Sequence, residues 1–373
     1  MNKNLVLNSI RTNAPLSRAQ VSISTGLNKG TVSSLVAELV NEDLIYEIGP
    51  GQSSGGRRPV LLMFQNRSGN AIGIDIGVNY LLGTLTDLSG SILNKIEIST
   101  DNTDVDNILN LLQKLITDLT NLASNTTYGV VGIGIGVPGI VNENGKVLFA
   151  PNLHWENVDL KYHIENMFNI PVQVENEANA GAYGERIFGK GKDSKNMIYL
   201  SVGIGIGSGL IVNDRIYKGQ EGFSGEFGHM SIETNGPKCT CGNKGCWELF
   251  ASEQALVKKA EQVFSEKNSL GDLVIKASNN NPSAINIFHE VGGYLGQGII
   301  NMVNIFNPEL IVIGNRITKA QKWIENPLKQ VISSRALPYH RENLSVEFSD
   351  LNSTGIALGA SYLMIEVFLK RVV

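Results

Sequence analysis

Residues 197–217 read MIYLSVGIGIGSGLIVNDRIY, and the architecture of the chain can be worked out from this stretch. The apolar run that ends at Val202 predicts a buried strand, the glycines after it predict a tight turn, and Leu210 lies in a second apolar run. A dinucleotide-binding glycine motif needs a helix immediately after its glycines, whereas the sequence here predicts a strand. The glycine pattern therefore argues against a Rossmann fold.

A similar stretch lies about 130 residues earlier, where residues 71–77 read AIGIDIG. A second strand, a turn at Asp87–Gly90 and a third strand follow it. Strand, glycine turn, strand, tight turn and strand thus occur twice, separated by a predicted helix at Val105–Leu122 and a predicted buried strand at Val130–Ile135. The repetition predicts an α/β body with two lobes that arose by internal duplication.

The composition is that of a folded protein with two or three domains. The chain has 373 residues, of which 42% are hydrophobic and 18% charged, with a net charge of −4. The longest uncharged stretch, Met197–Val212, has 16 residues and is too short for a membrane-spanning helix, so we expect no membrane partner. The three cysteines all lie between Cys239 and Cys246, and the first residues lack the apolar segment of a secretory signal. These features favour a cytoplasmic location.

The first seventy residues predict three short helices. Ser17 and Gln20 have the spacing of a capping box at the start of the second helix, and Gly26 suits a tight turn after it. Asn28 is placed to cap the third helix, whose first turns carry a polar outer face. Two short helices joined by a glycine turn are typical of a helix-turn-helix, in which the second helix enters the major groove of DNA.

A predicted hairpin follows these helices. Strands at Leu44–Ile48 and Pro59–Phe64 flank a glycine- and serine-rich turn, and Gly55–Arg58 lie at its tip. A hairpin in this position is the wing of a winged helix-turn-helix, and arginines at its tip can enter the minor groove. The alternative is a three-helix protein-interaction module with a solvated basic turn. The predicted contacts to double-stranded operator DNA are Asn28, Lys29, Thr31, Ser33, Ser34, Arg57 and Arg58.

The charge of this N-terminal part predicts more than one copy in the working protein. Residues 1–60 hold six basic and four acidic side chains, a net charge of +2. Affinity for DNA follows the number of phosphates that are neutralised, so a lone copy would bind weakly. We therefore expect a homo-oligomer, first of all a dimer.

A polar cluster and a cysteine cluster mark the body. Glu175–Asn179 places four hydrogen-bonding side chains at a predicted helix start, which favours a polar ligand with several hydroxyls. His229, Cys239, Cys241 and Cys246 match a tetrahedral zinc site, and four protein ligands leave no position for a reacting molecule. We therefore predict one structural zinc ion per chain. The alternative is three buried reduced cysteines and a core histidine.

The body, over roughly residues 70–370, resembles the ROK family of repressors, open reading frames and kinases. The resemblance lies in Glu226-x-x-His229 followed by Cys-x-Cys-Gly-x-x-Gly-Cys-x-Glu, and in the segment ENEANA at 175–180. The whole chain is most similar in layout to the regulator branch and to the xylose-operon repressors of Gram-positive bacteria. The resemblance implies an actin-like fold of the sugar-kinase and RNase H type, with a sugar in the cleft between its lobes. It implies sugar contacts at Gly139, Asn152, Asn176, Glu177, Glu226, His229 and Glu248, and a His229 that contacts both zinc and sugar.

The chain departs from the kinases of this family on the side that would hold phosphate. The family's Asp-x-Gly-Gly-Thr becomes Asp75-Ile-Gly-Val78-Asn, and Ile204 replaces a threonine between two glycines. Asn315 stands where a glycine run is expected, and Glu177 replaces the catalytic aspartate with a side chain one methylene longer. A side chain at such a turn obstructs the close approach of phosphate that glycine permits. We therefore predict that the chain is not an enzyme and that Glu177 is a vestigial base.

These observations predict a sugar-responsive repressor with two domains. Residues 1–66 would form the winged helix-turn-helix and residues 70–373 the sugar-binding body, with its first lobe at about 70–190 and its zinc-bearing lobe at about 191–373. A pentose in the cleft, xylose before other sugars, would release the operator. One alternative is an ATP-dependent sugar kinase with an appended DNA-binding arm, and another is a scaffold with a vestigial cleft.

Overall fold

The structure, a computed structural model, describes residues 2–50 and 59–373 of the chain. Its N-terminal unit combines three helices with a small antiparallel sheet, in which the strand order is β1-β3-β2. The helices are α1 (Asn2–Asn13), α2 (Arg18–Thr25) and α3 (Lys29–Asn41), and the strands are β1 (Leu16–Ser17), β2 (Ile45–Pro50) and β3 (Val60–Phe64). The predicted tip, Gly55–Arg58, lies outside the described residues.

Local sequence explains where these helices begin and end. The Ser17 side chain accepts the backbone N–H of Gln20, whose own side chain accepts the backbone N–H of Ser17, so the predicted capping box is confirmed. Gly26 ends α2 with a φ of 72°, a left-handed conformation that costs glycine little. The Asn28 side chain accepts the N–H of Thr31 at 2.8 Å, which confirms the predicted cap of α3.

Two five-stranded sheets form the body, and they share one topology. The first sheet has the order β11-β7-β4-β5-β6 and the second has the order β14-β13-β12-β15-β16. In each, three consecutive antiparallel strands are extended by two parallel ones. The predicted duplication is confirmed by this correspondence. The strands of the first sheet are β4 (Asn70–Ile76), β5 (Tyr80–Asp87), β6 (Ile92–Ser99), β7 (Val130–Val137) and β11 (Val172–Asn176), and those of the second are β12 (Met197–Val202), β13 (Ile206–Val212), β14 (Arg215–Ile216), β15 (Leu310–Gly314) and β16 (Ser345–Phe348).

Helices cover both sheets, and a small sheet lies beside the first. The small sheet has the order β10-β9-β8, with β8 (Ile140–Val141), β9 (Val147–Ala150) and β10 (Trp155–Val158). The helices are α4 (Val105–Leu122), α5 (Leu160–Phe168), α6 (Glu177–Phe188), α7 (Glu248–Ala251), α8 (Glu253–Phe264), α9 (Leu270–Ser278), α10 (Pro282–Phe306), α11 (Gln321–Arg335), α12 (Pro338–Glu342) and α13 (Gly355–Val372). Within the described ranges, the helices are too short or too polar to cross a membrane.

The C-terminal helix α13 returns to the first lobe, although the sequence placed it with the second. It packs on β4 and β7 and lies against α6. A Cβ on Gly359 would lie 1.7 Å from the backbone oxygen of Ala180, so this close helix contact requires glycine. Ile365 and Phe368, further along α13, join the hydrophobic core of the N-terminal unit. One helix thus contacts the cleft-forming helix α6 and the N-terminal unit.

Candidate functional site

A cavity of about 230 Å³ opens between the two sheets, at the end where their central parallel strands finish. The residues for which we expected sugar contact all line it, and they come from both lobes. These residues are Gly139, Asn152, Asn176, Glu177, Glu226, His229 and Glu248. Ligands of open α/β sheets bind at this edge, because the connections there are free to carry polar side chains.

The polar cluster at the start of α6 divides into two pairs. Asn176 and Glu177 line the cavity, whereas Glu175 and Asn179 are buried beside each other, with Asn179 Nδ2 donating to Glu175 Oε1 at 3.1 Å. Glu175 also accepts from Lys218 Nζ at 2.5 Å. The four polar side chains therefore do not all face a ligand, and two of them stabilise the fold.

Asn176 is held by the backbone on both sides of its amide. Its oxygen accepts the N–H groups of Ala178 and Asn179, as expected for a helix N-cap, and its Nδ2 donates to the carbonyl of Gly139 at 2.9 Å. Gly139 has a φ of 135°, in the region that favours glycine. These bonds fix the part of the cavity wall that Gly139 and Asn176 form.

Glu177 presents a carboxyl group that is reluctant to ionise. Burial raises the pKa of Glu177 to about 8, the charge of Asp75 adds to this rise, and a hydrogen bond from Ser201 opposes it. The Ser201 hydroxyl lies 3.2 Å from Glu177 Oε1. Such a group can donate a hydrogen bond when protonated and accept one when ionised, and both suit the hydroxyls of a sugar.

Three polar side chains from the second lobe complete the wall that Asn176 and Glu177 begin. A short 3₁₀ turn, Phe227–His229, places His229 Nε2 at 4.0 Å from Glu226 Oε2. His229 Nδ1 lies 3.3 Å from Oε1 of Glu248, the first residue of α7. The Glu226 side chain is 44% exposed towards solvent, so its carboxylate is free to meet a ligand. Burial nevertheless raises the pKa of Glu226, and His229 opposes the rise.

The predicted metal ligands come together behind this wall. One ligand atom from each of His229, Cys239, Cys241 and Cys246 lies within 4.8 Å of the others. The sulfurs of Cys241 and Cys246 are 3.7 Å apart, and Cys239 Sγ is 3.7 Å from His229 Nδ1. Zn–S bonds of about 2.3 Å in a tetrahedron place two sulfurs roughly 3.8 Å apart. The distances and the donor atoms therefore fit a zinc ion.

The protonation of the thiols depends on whether a cation is bound. Burial and then the neighbouring thiols raise the pKa of Cys246 to about 12, which opposes a cluster of thiolates without a counter-charge. A bound cation reverses this preference because it stabilises thiolates directly. With Nδ1 facing the thiols, His229 has Nε2 on the side of Glu226. A zinc ion here would supply folding energy and a fixed His229 orientation.

On the remaining wall of the cavity, which contains the two glycine turns, side chains near the first turn bond to other side chains of the protein. Tyr80 Oη donates to Oδ2 of the buried Asp75 at 2.7 Å, and the Tyr80 ring lies where a Cβ on Gly77 would be. Arg316 donates to Asn79 Oδ1 at 2.7 Å and lies 5.6 Å from the centre of the Tyr80 ring. We call Val78, Tyr80, Ile204, Asn315 and Arg316, with the buried Asp75 behind them, the glycine-turn wall.

Sequence reasoning assigned no role to Tyr80, Phe149 and Arg316, which also line the cavity. Arg316 follows the carboxyl end of β15, and that position alone could have suggested it. Tyr80 and Phe149 lie within or at the start of strands, where an aromatic residue is ordinary, so the sequence carries no signal for them.

The residues expected to contact DNA lie together at the start of α3. Asn28, Lys29, Ser33 and Ser34 are exposed, and Thr31 is half-buried. Val32 and Val36, on the opposite face of the helix, are buried in the core of the N-terminal unit. Arg57 and Arg58 lie outside the described residues.

Comparisons with known proteins cover the whole chain. The model of the ROK family matches residues 71–367. The xylose repressor of Bacillus spizizenii is 45% identical over 376 residues, which cover 100% of this chain and 97% of that protein. The solved structure of a ROK family transcriptional regulator, a homolog of the E. coli MLC protein, has a TM-score of 0.82 at 29% identity and covers 99% of this chain and 96% of that one.

A solved enzyme is similar over the body of the chain. The ROK family glucokinase from Streptomyces griseus, in complex with glucose and AMPPNP, has a TM-score of 0.74 at 27% identity, and the match covers 79% of this chain and 99% of that one. The body thus has the mixed α/β, actin-like fold of these sugar kinases. Family match, full-length relatives and fold agree, and the chain belongs to the ROK family.

Proposed function

We propose that this chain is a sugar-responsive transcriptional repressor, in which a sugar in the cleft lowers the affinity of the N-terminal unit for operator DNA. The observation that carries the proposal is the contrast inside the cavity. Its sugar wall (Asn152, Asn176, Glu177, Glu226, His229 and Glu248) offers polar groups to a ligand, whereas on the glycine-turn wall Tyr80 is bonded to Asp75 and Arg316 to Asn79.

The N-terminal unit acts as a winged helix-turn-helix. Helix α3 would lie in the major groove with Lys29 and Ser33 towards the DNA, and the β2–β3 hairpin would bring Arg57 and Arg58 to the minor groove. The full-length similarity to a ROK regulator supports this role, because the similar glucokinase matches only 79% of the chain. A homodimer would present two such units to a two-fold operator.

The sugar is a small neutral aldose, with xylose as our first candidate. Carboxylates and an imidazole on one wall suit the hydroxyls of such a molecule. The name of the Bacillus spizizenii relative, a xylose repressor, supports xylose for this chain. Zinc, held by His229, Cys239, Cys241 and Cys246 in a reducing cytoplasm, would keep His229 in place.

Phosphoryl transfer is the alternative, and the glycine-turn wall argues against it. Tyr80 lies against the first glycine turn, where the resemblance to the family's kinases implies the phosphate side, and its hydroxyl is bonded to Asp75. Transfer needs positive or N–H groups aimed at the phosphates. Here the guanidinium of Arg316 is engaged by Asn79 and faces Glu253 at 3.7 Å.

Operator binding in the presence of a panel of aldoses tests the proposal. Fluorescence anisotropy with promoter DNA at fixed salt should show release by xylose, and a coupling of roughly 1–3 kcal/mol would change operator affinity about 5- to 150-fold. Glucose, N-acetylglucosamine and ribose serve as comparison sugars. Operator affinity that no sugar changes would overturn the sensor function.

The DNA-binding half has its own test. Arg57→Ala with Arg58→Ala should weaken operator binding and reduce the slope of log affinity against log salt by up to about 2. The control removes two exposed positive charges from the body instead, with Lys95→Ala and Lys114→Ala. Equal affinities of the two double variants would contradict the wing.

A further inference from the structure

The backbone at Asn315 has a conformation that is reserved almost entirely for glycine. Its φ is 68° and its ψ is −159°. Asn307, another asparagine with positive φ, has φ 44° and ψ 57°, in the left-handed helical region that asparagine tolerates. A side chain survives in the glycine region only where its surroundings hold it there, and such positions cluster at functional sites.

The Asn315 side chain is held by two hydrogen bonds that fix the orientation of its amide. The oxygen accepts the backbone N–H of Arg316 at 2.7 Å, and Nδ2 donates to Ser201 Oγ at 2.9 Å. Strands β12 and β15 are parallel neighbours with Ser201 opposite Gly314, so their register brings the Asn315 side chain to this hydroxyl. Asn315 is 6% exposed and Ser201 1%, so water does not compete freely for these bonds.

The fixed amide determines where the Ser201 proton goes. An NH₂ group can only donate, so the Ser201 oxygen accepts from Asn315 and its own proton is left for another acceptor. That acceptor is Glu177 Oε1 at 3.2 Å. The relay runs from the second lobe, through Ser201, to a carboxyl group that lines the cavity.

We propose that Asn315 is a positioning residue, which acts through Ser201 to hold the carboxyl group of Glu177 towards the sugar. This inference rests on the proposed function, in which Glu177 contacts the ligand. It explains why an asparagine occupies a conformation that glycine would adopt without strain. Asp75 and Glu226 both raise the pKa of Glu177, and the Ser201 bond opposes them by favouring the carboxylate.

Two substitutions at Asn315 separate positioning from space filling. Asn315→Gly removes both bonds and relieves the backbone, so we expect sugar affinity to fall about 2- to 10-fold, the size of one hydrogen bond, without a lower melting temperature. Asn315→Asp keeps the shape and the acceptor for Arg316 but loses the donor to Ser201. A positioning role predicts that Asn315→Asp also loses affinity, whereas a role in filling space predicts no change.

The experiment is xylose calorimetry on these variants, on Ser201→Ala and on Asn315→Gly combined with Ser201→Ala. The double variant should lose no more affinity than Ser201→Ala alone, because both changes break one relay. Asn307→Gly is the control, since it relieves an exposed positive φ outside the cavity and should leave affinity unchanged. Additive losses, or wild-type affinity in Asn315→Gly and Asn315→Asp, would overturn the inference.

A second readout separates this inference from the proposed function. If the wild-type chain binds no aldose, the proposed function fails, and carboxyl ¹³C NMR of the sugar-free protein decides the relay instead. Asn315→Gly and Ser201→Ala should each raise the pKa of Glu177 relative to wild type, and the double variant should raise it no further. A pKa of Glu177 that none of these changes moves would overturn the relay.

Discussion

The two walls of the cavity are built from the same kinds of elements but are finished differently. On the sugar wall, a loop of the second lobe leaves the Glu226 side chain exposed, and a thiol cluster lies beside His229. On the glycine-turn wall, Tyr80 bonds to Asp75, and Arg316 lies against the Tyr80 ring. The sugar wall presents polar groups to a ligand, whereas Tyr80 on the glycine-turn wall already has a partner within the protein.

This difference teaches how a kinase-like body can bind a sugar without transferring phosphate to it. Catalysis of phosphoryl transfer depends on groups that are aimed at the phosphates before reaction. Here Tyr80 is bonded to Asp75 and Arg316 to Asn79, so a phosphate would have to displace bonds that these side chains already make. The free energy of ligand binding in the cleft would therefore come from contacts between the sugar and the sugar wall, and this binding can be coupled to the rest of the molecule.

The largest effect is expected from loss of the zinc ion that we propose behind the sugar wall. Cys246 is fully buried, and Cys246→Ser should release the ion, lower the free energy of unfolding by about 5 kcal/mol or more and abolish sugar binding. Elemental analysis and urea unfolding measure these changes. Thr240→Ala, an exposed position in the same loop, should change neither. A Cys246→Ser protein with wild-type stability would remove zinc from the account.

A smaller effect is expected from the buried acid of the glycine-turn wall. Burial raises the pKa of Asp75 to about 7, Tyr80 opposes this rise, and Asp75 Oδ1 has no hydrogen-bond partner among the described residues. A raised folded-state pKa gives stability that is complete below the unfolded value and is lost as pH rises through about 7. Asp75→Asn should therefore stabilise the protein at pH 9 relative to wild type, by roughly 4 kcal/mol, and by less at pH 5.

Urea unfolding at both pH values checks this prediction. Asp101→Asn, which changes an exposed acid of the same lobe, should leave the pH dependence as it is in wild type. If Asp75→Asn and wild type lose stability in parallel from pH 5 to pH 9, the Asp75 carboxyl is not the group that titrates.

On the sugar wall itself, Glu226→Gln should lower xylose affinity roughly 10- to 100-fold, as expected for a lost hydrogen bond to a charged group. Its fold should be unaffected, because the side chain is 44% exposed. Glu221→Gln is the matched control, since Glu221 is an exposed acid five residues earlier in the same loop. Calorimetry that finds equal affinities for the two variants would place the sugar elsewhere.

The smallest effect is expected at Arg316. Its side chain is 27% exposed, so Arg316→Ala should cost about 1 kcal/mol of stability through the lost contacts to Asn79 and Glu253. Arg335→Ala provides the control for the stability measurement. In a separate assay with ATP and either xylose or glucose, neither wild type nor Arg316→Ala should release ADP. Sustained ADP release by wild type would contradict the closed wall.

The parts of the fold that could be predicted from the sequence are those set by local residue patterns. The capping box at Ser17 and the hairpins on either side of Gly77 and Gly203 depend on neighbouring residues, and the structure confirms them. The return of α13 to the first sheet could not be predicted, because an apolar helix carries no mark of which sheet it will cover.

For the site, the sequence predicted which residues line the cavity but not the contacts between them. The family resemblance implied seven sugar contacts that all line the cavity, and the cysteine spacing predicted the cluster of one histidine and three cysteines. The bond from Asn315 to Ser201 depends on the register of two strands that are about 110 residues apart, and the Tyr80 contact depends on a ring lying over a turn. Contacts of this kind are set by tertiary packing, and a single sequence does not contain them in readable form.

The central claim is that sugar and DNA compete through the molecule, and reciprocal binding tests it most directly. Helix α13 contacts both α6, which begins at the cavity, and the core of the N-terminal unit, so each ligand has a route to the other. Calorimetric titration of xylose should give a dissociation constant about 5- to 150-fold higher for the operator-bound protein than for the free protein, matching the factor by which xylose weakens operator binding. The same dissociation constant with and without operator would contradict the account.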